Sequence, residues 1–299
     1  MYHVSAIQHD DPGFSMNFFY ILVALWLESR RPVVWVSKCE DGFDTWAEAV
    51  RNRLDAGHFF SQGAPAWFVV ILPLMACAAL ITYLLALLDL NGLFDILVLV
   101  LLVHFRSGLD PLVKLRRDVH PAPGQSLAAS RENIAEDIEQ AIVTFHGRTL
   151  AVLLWYCLLP GPLGALLYAA AHRLADSWGR PGTPFGRFSI KVFFWLDWIP
   201  VRLTAFTFAV VGNFEDALYC WRTQGDRDNR RQILASAAGA LGIRLEGEGK
   251  AGNEAAELGV GERPETDHLS SVEGLIWRSL VLWMLVIGLM TLARRVGHQ

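Results

Sequence analysis

The chain has 299 residues, of which 53% are hydrophobic and 19% charged, and carries a formal net charge of −4. Soluble chains usually carry about 25% charged residues, so with a mean hydropathy of +0.31 much of the apolar surface has to face something other than water. The small acidic balance and the lack of a basic stripe with interleaved aromatics exclude nucleic acid as a partner.

In chain order, the fifteen residues before Met16 read as an unstructured tail, with either Met1 or Met16 as the start. The first apolar piece, Phe18 to Leu27, follows acidic or neutral residues and has no small-residue cleavage site, so it is expected to be retained rather than removed as a signal peptide. Arg30 and Arg31 follow it directly, which by the positive-inside rule puts the next stretch in the cytosol. Pro65 to Leu88 is the clearest membrane segment: it has no charged residue and exceeds the roughly 20 residues that span hydrocarbon. Leu93 to Val103, around Asp95, is shorter and fits a half-span or an interfacial helix.

The middle polar stretch, Arg106 to Arg148, reads as helical behind the breaker Pro121, Pro123, Gly124 and Ser126, because Leu127, Ile134, Ile138 and Ile142 recur at mostly four-residue spacing. It leads into a run without Asp, Glu, Lys or Arg from Thr149 to His172. Pro160-Gly161-Pro162 interrupts that run where lipid offers no replacement for lost backbone bonds. Two half-helices meeting at a site and a kinked span both accommodate it. Lys191 to Gly212 is apolar around Asp197 and Arg202, the tract Glu246 to His268 has no apolar period and reads as a flexible linker, and a last apolar run follows Glu273. The expectation is an all-α polytopic membrane protein with four to six membrane segments. It divides into a tail at 1–16, a membrane domain at 17–222, a polar cytosolic linker at 223–270 and a terminal membrane helix at 271–299.

Cys39, Cys77, Cys157 and Cys220 are scattered with no CxxC pair, so free thiols are expected rather than a disulfide framework or zinc site. Ionisable groups at membrane depth are costly and mark functional positions. Asp197 and Arg202 are therefore expected to face the protein interior or a wet cavity, where they could pair. Asn213 can cap a helix whose first turn holds Glu215 and Asp216. The same cluster also offers two carboxylates for magnesium and Arg222 for a phosphate or carboxylate. The ligand-binding candidates are thus Asp197, Arg202, Asn213, Glu215, Asp216 and Arg222, and the catalytic candidates are Glu139, His146 and Asp197. No P-loop, dinucleotide fingerprint, HExxH or nucleophile elbow is present.

The string GPLGALLYAAAHRLADSWG, followed by FGRFSIKVFFWLDWIPVRLTAFTFAVVG and NFEDALYCWR, resembles the CobD/CbiB family of cobalamin biosynthesis and its sister AmpE proteins. Arg106-Ser107-Gly108-Leu109 and the opening Glu28-Ser29-Arg30-Arg31-Pro32 resemble further landmarks. The resemblance implies a membrane fold. For the enzyme branch it implies ATP- and magnesium-dependent amide formation between adenosylcobyric acid and an aminopropanol or its phosphate. That branch's hallmark, IESxAENxxDGxxAPLFW, aligns with Ile138 to Trp155. Ile138, Glu139, Ala151, Leu153 and Trp155 agree, but Val143, Thr144, Gly147 and Arg148 replace its Glu, Asn, Asp and Gly. The family's NTLDSM resembles His172 to Ser177 only loosely, its acidic pair ahead of NYIPARL is replaced by Val192 and Phe193, and Asp197 stands for its Asn. Gly161, Gly164, Tyr168, Pro200 and Arg202, which read as architecture, remain.

Loss of those polar groups points to a non-enzymatic AmpE-like regulator in the bacterial inner membrane, with a cell-wall-recycling or corrinoid ligand. The alternative is a divergent synthase in which Glu139, His146 and Asp197 carry the chemistry. A transporter of small polar metabolites is a third possibility, drawn from the Pro-Gly-Pro break and the intramembrane charges.

Overall fold

A computed structural model describes residues 13–30, 34–54, 63–117, 127–159, 161–179, 185–225, 228–247 and 256–297. The tail before residue 13, the breaker around Pro121 and the start-site question lie outside these residues. The described chain is helical apart from one short hairpin. Its helices are α1 (Gly13–Arg30), α2 (Val34–Leu54), α3 (Ala64–Ala86), α4 (Asn91–Leu102), α5 (Phe105–Arg117), α6 (Leu127–Phe145), α7 (Ala151–Leu158), α8 (Leu163–Trp178), α9 (Arg187–Val211), α10 (Phe214–Gln224), α11 (Asn229–Leu241) and α12 (His268–Gly297).

Four helical stretches among the described residues are long and apolar enough to cross a membrane: Ala64–Ala86, Ile134–Leu158, Arg187–Val211 and His268–Ala293. Their burial sorts them. Only 17% of the α3 window is buried against 67% of the Ile134–Leu158 window. α3 therefore exposes Phe68, Leu72, Leu80 and Leu84 to a medium that must itself be apolar, while the α6–α7 stretch is the pillar around which the others pack. With α1 and the shorter apolar α4 beside them, the architecture is that of a polytopic helical membrane protein.

The pillar is one continuous helix joined by a π-helical turn at His146–Leu150. A π turn adds a residue to the helical repeat, rotates the side chains that follow, and commonly marks a functional position. The apolar run from Thr149 to His172 does not form a single span. Leu159 leaves the helix in an extended conformation, Gly161 takes φ 61°, and α8 returns alongside α7. The intramembrane Asp95 is satisfied nearby: its Oδ2 accepts a 3.0 Å hydrogen bond from the Tyr156 hydroxyl.

The segment read as a polar linker, 223–270, contains α11 and an antiparallel hairpin, β1 (Arg244–Gly247) with β2 (Ala256–Gly259), in which Leu245 pairs with Leu258. α11 is buried on all sides from Ile233 to Gly239, packed between α9 and α10. It fits because its residues are small. A Cβ on Gly239 would sit 2.8 Å from the Cα of Ala217 on α10, and such close backbone approach is how helices associate where lipid removes the usual hydrophobic drive. The cysteines are all free thiols; burial, with Asp216 adding to it, pushes the Cys220 thiol above its usual range.

Gly164 offers a direct check on the α7–α8 reversal. A Cβ there would meet the Cβ of Leu159 and the carbonyl carbon of Trp155 at 2.9 Å each. Gly164→Ala should therefore lower stability by roughly 1–3 kcal/mol through overpacking, read as a fall in the thermal midpoint of the detergent-purified protein.

Candidate functional site

Where the π turn, α8, α9 and α11 meet, five polar side chains converge in a buried setting. His146 comes from the π turn and Asp197 from mid-α9, 51 residues apart in sequence and joined by a 2.9 Å bond between His146 Nε2 and Asp197 Oδ1. The other ring nitrogen, Nδ1, lies 2.8 Å from Thr204 Oγ1, two turns further along α9. The Tyr168 hydroxyl of α8 donates to the same Asp197 oxygen at 2.8 Å. Asn229, the first residue of α11, donates its Nδ2 to Asp197 Oδ2 at 3.3 Å.

Asp197 is only 4% exposed. An unpaired carboxylate at such a place would cost several kcal/mol, and three donors from three separate segments offset that cost. The Asn229 Oδ1 atom is buried with no partner among the described residues, so the cluster keeps a free acceptor for an N–H or O–H donor. A histidine with one nitrogen on a carboxylate and the other on a hydroxyl, beside a tyrosine on that carboxylate, can accept, hold and return a proton.

Two further groups flank the residues of the cluster. His172 stacks on Tyr168, with ring centroids 6.3 Å apart and planes 4° from parallel, and His172 lines a cavity together with Gly147. Arg230, next to Asn229 in sequence, lies 3.7 Å from the buried Glu139 of α6.

Of the sequence candidates, His146 and Asp197 are therefore brought together, while Glu139 lies against Arg230, the residue after Asn229. Arg202 does not pair with Asp197. Five residues along a helix place it about 140° around the axis, and it stacks over Trp198 at 3.8 Å from the ring centroid while donating to the Trp198 carbonyl at 3.0 Å. Asn213 caps α10 by accepting from the Asp216 amide at 3.3 Å and donates its Nδ2 to Asp216 Oδ2 at 2.6 Å. Glu215 and Arg222 are exposed on α10, and no hydrogen bond or ion pair joins this group to Asp197.

Tyr168, Thr204 and Asn229 were not candidates from sequence. Tyr168 reads as architecture, Thr204 carries no signal that singles it out, and Asn229 lies in the stretch read as linker. Among the described residues no group of three or more His, Cys, Asp or Glu could hold a metal, and Asp216 already spends one carboxylate oxygen on Asn213.

Helices that bury a paired carboxylate beside a π turn, inside a bundle whose outer face is apolar, define a polytopic membrane protein with a polar interior site. Residues 144–276 match the family described as CobD/Cbib protein, and that stretch holds all five converging residues. The resemblance to the CobD/CbiB family read from the sequence is thus borne out over this region. It is 29% identical over 250 residues to the cobalamin biosynthesis protein CobD of Stutzerimonas stutzeri, covering 76% of this chain and 81% of that one. It is 31% identical over 155 residues to the protein of the same name from Chromobacterium violaceum, covering 49% of each chain. With the Synechocystis protein of that name it shares 30% identity over 175 residues, 54% of this chain and 50% of that one. No solved structure matches the chain. These names favour the cobalamin branch over the regulatory, AmpE-like one.

If Asp197 is held as described, removing it and removing its partner should not be independent. Asp197→Leu alone strips the carboxylate from His146, Tyr168 and Asn229 and should cost roughly 3–5 kcal/mol. The His146→Leu/Asp197→Leu double variant should cost clearly less than the sum of the single changes. Unfolding titrations in mixed micelles measure both quantities.

Proposed function

We propose that this protein acts in cobalamin biosynthesis as a divergent amide-forming synthase, embedded as a multi-pass protein in a bacterial inner membrane. The substrates would be adenosylcobyric acid and an aminopropanol or its phosphate, with ATP as the co-substrate that activates the carboxyl group. One observation carries this reading. The family-matched stretch folds so that its two recognisable segments, the hallmark helix through His146 and the apolar segment through Asp197, meet at a single buried polar cluster.

In this reading Asp197 and His146 take the proton that the amine must lose as the amide forms. The Tyr168 hydroxyl holds the carboxylate in place, and Asn229 Oδ1 accepts from the amine before attack. Glu139 and Arg230 mark the approach from the α11 side.

Complementation tests the proposal. A strain lacking its own synthase and carrying this gene should recover cobinamide formation from cobyric acid and aminopropanol. Asp197→Ala and His146→Ala, at matched membrane levels, should lower it by about 10²-fold or more, as loss of a general base does. Membrane-inserted wild-type protein that yields no amidated corrinoid would remove the basis for the enzyme reading and restore the regulatory one.

A further inference from the structure

Between α2, α3, α4, the π turn and α8 lies a cavity of about 220 Å³. Its walls are apolar, formed by Leu74, Val98, Leu102, Val152 and Leu166 among others. Its volume falls below the roughly 300–1,000 Å³ of pockets that enclose drug-sized ligands, which suits one slender chain rather than a ring system.

One end of this apolar space is strongly charged. Arg148 and Arg173 line it, and a single carboxylate bridges them. Glu40 Oε1 accepts from Arg148 Nη1 at 2.8 Å, and Glu40 Oε2 lies 2.8 Å from Arg173 Nη1. Arg173 also makes a two-point pair with Asp44, through Nε at 3.0 Å and Nη2 at 2.7 Å. Glu40 and Asp44 both belong to α2, which with Cys39, Glu40 and Phe43 forms part of the cavity wall. His104 lies 3.8 Å from Glu40 on the same side. Two guanidinium groups holding one anion between them, in the lining of an otherwise apolar space, suit a planar or tetrahedral oxyanion on an apolar tail.

We propose that this cavity binds a single-chain amphiphile whose acidic headgroup, a carboxylate or phosphate, takes the place of Glu40 between Arg148 and Arg173. α2 is then the cover of the site, and its Glu40 is the internal competitor that holds it closed. Displacing Glu40 leaves two arginines against Asp44, an imbalance that the incoming anion corrects. The site borders the cluster at Asp197 through Gly147 and His172, but the proposed charged contacts lie on Arg148, Arg173 and α2 and on none of the five clustered residues.

The test uses the full chain purified in a neutral maltoside detergent and follows its thermal midpoint, since a ligand that binds only the folded state raises it in proportion to occupancy. Dodecyl phosphate is the probe, with inorganic phosphate and dodecyltrimethylammonium as separate arms. The wild type should respond saturably to dodecyl phosphate and to neither control. Glu40→Gln, which removes the competing charge, should lower the half-saturating concentration by about tenfold, the scale of one charge-assisted hydrogen-bond pair. The Arg148→Gln/Arg173→Gln double variant should lose the response. An equal response to inorganic phosphate, an undiminished response in the arginine double variant, or no tightening in Glu40→Gln would each overturn the proposal. The ligand arms and Glu40→Gln involve no change to the arginines, so a misfolded arginine variant leaves the outcome decided by them.

Discussion

The Asp197 carboxylate sets the condition that the rest of the interior has to meet. Within a bundle whose outer surface is apolar, water cannot be counted on to solvate a charge, and the donors must come from protein. They come from three places in the chain: His146 on the pillar, Tyr168 on the returning helix α8, and Asn229 at the head of α11. Each donor fixes a different neighbour of α9. The pillar has to present His146 at the right rotation, and the π turn at His146–Leu150 supplies that rotation. The chain has to reverse after Leu158 to bring Tyr168 alongside, and the Gly161 turn does so. A helix after α10 has to fold back against α9, and the small residues of α11 allow the approach. The carboxylate and the topology therefore impose the same arrangement.

Much of this was legible in the residues. Long runs such as Pro65 to Leu88 declare a lipid-facing helix through length alone, and α3 is indeed the most exposed of the four candidate spans. An ionisable residue inside an apolar run, Asp197, declared a polar interior. What the sequence concealed has physical reasons. α11 lies in a stretch with low hydropathy because its packing uses alanine and glycine rather than large side chains, so a buried helix reads as a linker. The hairpin of β1 and β2 is too short to show an alternating period.

Asp197 and Arg202 looked like a pair because they stand close in sequence, yet helix geometry turns them apart, and Arg202 satisfies itself on Trp198. Asp197's true partners stand 51, 29 and 32 residues away, a separation that no local pattern reports. The Asn213 to Arg222 group was visible as a helix cap, and the cap accounts for its hydrogen bonds.

The substitutions along the hallmark helix take on a different meaning once the geometry is known. Val143, Thr144 and Gly147 stand where the CobD/CbiB pattern places carboxylates and an amide, and taken alone they suggest decay. Decay of a buried polar site should leave apolar residues throughout, since unpartnered polar groups are costly and nothing would select to keep them. Here the position of the family's asparagine has become Asp197, a change toward charge, and the groups around it are arranged to satisfy it. Gly147 contributes as well: a Cβ there would sit 3.8 Å from His172 Nε2 and 3.9 Å from the Tyr168 hydroxyl, so its small size leaves room beside the ring that links the cluster to the cavity. Asp197 is paired from three sides, and Asn229 Oδ1 is left beside it with no partner among the described residues, so the polar cluster is kept satisfied although the hallmark helix lacks its usual carboxylates.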